Sequence, residues 1–78
     1  MKEIKPSHTL DVKGKICPYP LFHTKKTVEI LNKGEILEVI ATDPVAPDNI
    51  SSWAEDHGHE ILEVRKEGDV FKIYLRKG

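Results

Sequence analysis

The run EILEVIA, residues 35–41, is the most continuous apolar stretch in the sequence and is rich in isoleucine and valine. A mostly apolar run rich in β-branched side chains suits a strand held inside a sheet. This segment is therefore read as the central strand, against which the rest of the chain must pack. No apolar run approaches the roughly 18 residues that a membrane-spanning helix requires.

Shorter periodic segments lie on either side. HTLDV, 8–12, alternates, with Leu10 and Val12 on one side, and is closed by Gly14, which predicts a short strand. From Pro18 onward, Leu21, Thr24, Val28 and Leu31 recur at helical spacing, with Lys25, Lys26, Glu29 and Lys33 mostly opposite and Gly34 as a stop. That pattern predicts a helix over 18–32. After a turn at TDP, Pro47 suits a first helical position, and Ile50, Trp53, Ala54 and His57 share one face up to Gly58, predicting a second helix over 47–57. The remainder, HEILEVRKEGDVFKIYLRK, carries two alternating runs around Glu67-Gly68-Asp69. Leu62 and Val64 lie on one face, and Phe71, Ile73 and Leu75 on the matching face of the next strand, so a β-hairpin is expected.

The order βαβαββ predicts an α+β fold, a two-layer sandwich with two helices on one face of a four-stranded mixed sheet. With 78 residues the chain is expected to form one domain, 1–78, because a second core has no room. Residues 1–6 are polar, lack the apolar stretch of a secretory signal and are expected to be a flexible N-terminus, so a cytoplasmic location is expected. Hydrophobic residues at 38% and charged residues at 32% fit a globular rather than a disordered chain.

The net charge of −1 argues against a dedicated nucleic-acid binder, but the charge is uneven. Residues 1–33 carry seven lysines against three acids, and residues 34–78 carry five basic groups against ten acids. The only cysteine, Cys17, lies in the basic part. Alone it can form neither an internal disulfide nor the paired thiolates of a zinc finger or CxxC motif, so it is a small core residue or a working thiol. Its neighbours Lys15 and Gly14 make a poor apolar setting, which favours the thiol.

A helix beginning at Pro18 puts Cys17 at the N-cap, facing the unpaired N–H groups of the first turn. Pro18 suits a first helical position, while Pro20 removes a further N–H and leaves those of Tyr19 and Leu21 as nearby donors. A helix N-terminus favours an anion by ~0.3–1 kcal/mol, and up to ~2 kcal/mol when partly buried. A thiol of pKa ~8.5 is thereby drawn toward ~7, with Lys13 and Lys15 adding to the effect. His23, six residues on, is rotated roughly 600° along the helix and cannot form a standing dyad with Cys17, which leaves it solvated or facing a partner. His57 and His59 flank Gly58 and read as a helix cap and a strand start, and His8 has no assigned role, so neither a metal site nor a cofactor is called for.

The segments LDVKGKICPYPLFHTKK, GEILEVIATDP, DNISSWAEDHGHEIL and FKIYLRKG resemble the TusA family of sulfur carriers, also called SirA-like proteins, over nearly the whole chain. The first resembles the family pattern LDxRGxxCPxP followed by TKK. The resemblance implies the same two-layer sandwich. It also implies a sulfurtransferase in which Cys17 accepts sulfane sulfur as a persulfide from a donor such as a cysteine desulfurase and hands it to an acceptor protein. The pathways it implies are tRNA thiolation, cofactor sulfur, or sulfur oxidation and thiosulfate metabolism. Pro18 and Pro20 match the motif prolines, and Asp11, Gly14, Lys26 and Asp43 match recurring polar and turn positions. Lys13 stands where the family usually has arginine, which keeps the charge and loses the planar fork. A carrier needs no second cysteine, which would attack the persulfide and release its sulfur. The basic half suits acidic patches on protein partners or thiosulfate-like anions.

Two other readings fit parts of the sequence. CPYP is similar to the glutaredoxin CPYC with its resolving cysteine replaced, which implies glutathione-linked monothiol redox work. DVKGKI before Cys17, however, is not the apolar strand that fold requires. A non-catalytic regulator is the other, binding protein or RNA through Lys72 and Tyr74 on the outward face of the last strand, though no RNA-stacking motif is present.

Overall fold

The structure is a computed structural model and describes residues 5–16 and 19–78. Its elements are β1 (His8–Val12), α1 (Tyr19–Ile30), β2 (Ile36–Ala41), α2 (Ala46–Asp56), β3 (Glu60–Glu67) and β4 (Val70–Arg76). The strand order is β1-β2-β4-β3, so the EILEVIA strand is internal as expected. β1 and β2 run parallel and are joined by the α1 crossover, while β4 is antiparallel to both β2 and β3, which makes the sheet mixed.

One face of the sheet carries the core. Leu37, Val39 and Ala41 of β2 are fully buried and alternate with half-buried Ile36, Glu38 and Ile40. The register sets Val12 beside Ala41, and Ile73 and Leu75 beside Val39 and Leu37. Val28 and Leu31 at the end of the first helical stretch, with Ala46 and Ile50 of α2, cover this layer from one side. Burying each such aliphatic side chain contributes about 1.5–3 kcal/mol, which exceeds what helix propensity alone supplies.

α1 stops at Ile30 rather than at residue 32. Leu31 N–H tightens onto the Val28 carbonyl at 3.1 Å, and the Lys77 ammonium donates to the carbonyls of Leu31 (2.8 Å) and Glu29 (3.4 Å). A cation from the chain's far end thus satisfies the helix's last acceptors. α2 begins one residue earlier than expected, with Val45 at the N-cap and Pro47 as the second helical residue.

The hairpin forms about Gly68-Asp69, with Glu67 opposite Val70 and Gly68 at φ 63°, the glycine-first pattern of a tight two-residue turn. A register shift between Ile61 and Glu63 sets Ile61 beside Leu75. Ile61 is therefore the β3 residue that packs on the buried cluster, while Val64 remains 44% exposed. Simple alternation cannot reveal such a bulge, because it adds one residue to one strand only.

Across the opposite face, Thr9, Glu38, Tyr74 and Glu63 form one cross-strand row. The Tyr74 hydroxyl donates to Glu38 Oε2 at 2.6 Å, and the Arg65 guanidinium lies 5.5 Å from the Tyr74 ring centre. Tyr74 is only 5% exposed, and Lys72 pairs with Glu67 at 3.4 Å. Both groups proposed for a protein- or RNA-binding face are thus engaged by their neighbours. No helix among the described residues is long and apolar enough to cross a membrane.

Candidate functional site

The parallel strands β1 and β2 end side by side, Val12 next to Ala41, and the loops that leave them share one end of the sheet. After β1 the chain turns sharply. Asp11 Oδ1 accepts the Lys13 N–H at 3.0 Å, Lys13 Nζ lies 3.7 Å from Asp11 Oδ2, and Lys15 N–H reaches the Val12 carbonyl at 3.1 Å. Gly14 takes φ 82°, which costs any residue with a Cβ. Its N–H donates to Thr42 Oγ1 at 2.9 Å, tying this turn to the end of β2. Asp11 and Gly14, matched above to recurring motif positions, thus form one turn with Lys13, which stands in place of the family's usual arginine. Thr42 was not singled out by the sequence, where it reads only as part of a turn.

The next residue after Thr42, Asp43, lies in the turn that leads into α2. Its Oδ1 accepts the Val45 N–H at 3.2 Å and its carbonyl accepts the Ala46 N–H at 3.1 Å, while the residue is 9% exposed. This is a side-chain turn of the kind aspartate favours. Asp43 therefore shapes the loop adjoining the Gly14 turn.

Cys17 and Pro18 lie outside the described residues, and so does the expected N-cap at Cys17. Tyr19 N–H donates to the Ile16 carbonyl at 2.9 Å. Of the two nearby donors expected from the sequence, Tyr19 N–H is thus already used. Pro20 is fully buried and its carbonyl accepts the Thr24 hydroxyl at 2.8 Å, so the second proline anchors α1 in the core rather than only shaping its first turn.

The outward side of this segment is apolar. Ile16 is 69% exposed, Tyr19 54% and Phe22 50%. Lysines are frequent in the same stretch of sequence: Lys13, Lys15 and Lys26 are exposed, Lys25 Nζ stands 5.9 Å from the Phe22 ring centre, and no acidic residue occurs between Asp11 and Glu29. His23 is exposed beside Phe22. The other two histidines given roles in the sequence reading gather elsewhere: the rings of His57 and His59 lie 5.3 and 5.1 Å from that of Trp53. Burial, His57 and Lys77 hold the His59 imidazole below its usual range.

Residues 8–77 match the family Sulfurtransferase TusA. The chain is 43% identical over 75 residues to the protein named "Putative sulfur carrier protein YrkI" of Bacillus subtilis, covering 96% of this chain and all of that one. It is 38% identical over 77 residues to the similarly named YedF of Escherichia coli, covering 99% of this chain and all of the relative. The crystal structure of a SirA-like protein from Desulfitobacterium hafniense superposes with a TM-score of 0.73 at 28% identity, covering 91% of this chain and 97% of that one. The glycine turn before the cysteine, the buried second proline and the sheet order thus stand in a chain that belongs to the TusA family.

Proposed function

We propose that this protein is a sulfur carrier that holds sulfane sulfur as a persulfide on Cys17. The Cys17 thiolate attacks the outer sulfur of a donor protein's persulfide. A new S–S bond forms on Cys17, the donor's S–S bond breaks, and the donor cysteine leaves as a thiolate. An acceptor thiolate then takes the outer sulfur of the Cys17 persulfide and returns Cys17 to its thiolate. No net oxidant is needed, because each step exchanges one S–S bond for another. A cysteine desulfurase fits the donor, and a sulfur-relay protein serving tRNA thiolation or cofactor sulfur fits the acceptor.

The observation that supports this reading concerns the described residues next to the lone cysteine in sequence. On either side of it in sequence, Tyr19 N–H bonds to the Ile16 carbonyl, Pro20 is buried, and Ile16, Tyr19 and Phe22 are exposed in a stretch rich in lysine. An apolar patch rimmed by one sign of charge suits transient docking of an acidic protein surface. The sequence holds no second thiol to quench the cargo. The family match favours this reading over glutathione-linked redox work, and the engagement of Tyr74 and Lys72 disfavours the regulator.

The protein incubated with a cysteine desulfurase and cysteine should gain one sulfur atom by intact mass, and the gain should vanish in Cys17→Ala. Transfer of radiolabelled sulfur onward to an acceptor protein completes the test. A wild type that gains no sulfur from any persulfide donor would overturn the proposal.

A further inference from the structure

At the opposite end of the sheet from the Gly14 turn, residues of α1 and α2 line a groove of about 270 Å³ formed by Lys25, Val28, Glu29, Trp53, His57 and Lys77. Lys77 belongs to that end because its N–H and carbonyl pair with Glu35 and Gly34, just before β2. We propose that this groove binds a small aromatic anion, with its ring against the Trp53 indole and its carboxylate or sulfonate among Lys25, Lys77 and His57.

Size, lining and charge each bear on this. The volume is near the lower end of small-molecule pockets, about 300–1,000 Å³, and suits one or two fused rings rather than a dinucleotide or a peptide. Trp53 is half-buried, packed on the core cluster, and Val28 supplies a second apolar wall. An aromatic ring offered to a partly exposed indole gains both apolar area and offset stacking.

Two ammonium groups and one imidazole border the groove against a single carboxylate, Glu29. Among the described residues, neither Lys25 nor Lys77 has a carboxylate within ion-pair distance, whereas five other basic side chains do. Lys77 is also held in place. Its Nζ donates to the carbonyls of Leu31 and Glu29, which uses two of its three N–H donors and leaves one for a ligand. The cation is thus pre-positioned, which lowers the entropic cost of binding. His57 is fixed similarly, with Nδ1 3.0 Å from the Trp53 carbonyl and its other ring nitrogen not committed to that contact. A bare inorganic anion would make no use of the exposed part of the Trp53 indole, which His57 and His59 flank at 5.3 and 5.1 Å, and a neutral aromatic would leave both ammonium groups without a counter-charge.

The test is an amide and indole N–H NMR titration of the full chain with three probes: 1-naphthalenesulfonate, neutral 1-naphthalenemethanol and inorganic sulfate. The sulfonate should produce saturable shifts centred on Trp53, His57 and Lys77, with a Kd of about 1 mM, as expected for a ligand of this size. Lys25→Gln should weaken the sulfonate about fivefold, because it removes one partly exposed charge interaction, and naphthalenemethanol should bind more weakly still, because it gives up the contacts with both ammonium groups. Trp53→Leu should abolish saturable binding. If that variant loses its folded spectrum, Lys25→Gln carries the test, since Lys25 lies outside the buried core. Equal binding of the alcohol and the sulfonate would overturn the proposal. So would shifts confined to Ile16, Tyr19 and Phe22, saturable binding of sulfate alone, or no saturable shift with any probe.

Discussion

The N–H of Gly14 donates to the hydroxyl of Thr42 at 2.9 Å, joining the turn before the cysteine to the end of the central strand across 28 residues of sequence. Thr42→Val keeps the shape and removes the acceptor. A loss of about 0.5–1.5 kcal/mol in urea unfolding is expected, toward the lower end because the bond is exposed to water. Faster hydrogen exchange at the Gly14 amide is the local check, and unchanged exchange there would refute this bond's role. Gly14→Ala should cost about 1–2 kcal/mol through its backbone alone. A Cβ at Gly14 meets nothing within 4 Å, and φ is 82°.

Tyr74 gives a pH dependence of known sign. The hydrogen bond to Glu38, burial and the Glu38 charge raise its phenol from 10.0 to about 12. A folded-state pKa raised above the unfolded one means that this stabilisation is complete below pH 10 and is lost as pH rises toward about 12. Tyr74→Phe should lower stability at neutral pH by about 1.5 kcal/mol, as for a hydrogen bond to a carboxylate. It should also flatten the alkaline fall in melting temperature, and a variant that falls as steeply as wild type would contradict the assignment.

His59 acts at the acidic side. Burial, His57 and Lys77 depress its imidazole below the usual 6.5, and its Nδ1 accepts the Gly78 N–H at 3.1 Å. The contribution of neutral His59 is therefore present above pH 6.5 and is lost as pH falls through the lower folded-state value. Protonation also removes the acceptor for Gly78. Melting temperatures taken from about pH 7.5 to 5 should fall less steeply in His59→Gln than in wild type.

Charge around Ile16, Tyr19 and Phe22 should govern the encounter with a sulfur donor. Lys15→Glu combined with Lys26→Glu is expected to slow persulfide loading about tenfold at low ionic strength, with the difference shrinking as salt is added. Alkylation of Cys17 by a small neutral reagent should change far less. An equal loss in both assays would mean that the lysines act on the thiol rather than on docking.

The βαβαββ order, the internal position of residues 36–41 and the buried faces of both helices follow from local periodicity, because apolar spacing is fixed by the repeat of each element. The turns at Gly14 and at Thr42-Asp43-Pro44 were legible for a similar reason, since glycine, aspartate and proline favour particular backbone conformations wherever they occur. Other relationships depend on groups distant in sequence and leave no periodic trace. They include the bulge that brings Ile61 to the core, Thr42 reaching Gly14, Tyr74 closed off by Glu38 and Arg65, and Lys77 capping α1 beside Trp53. Local spacing decides which side of an element is apolar, whereas only packing of the sheet decides which polar atoms come within reach of one another.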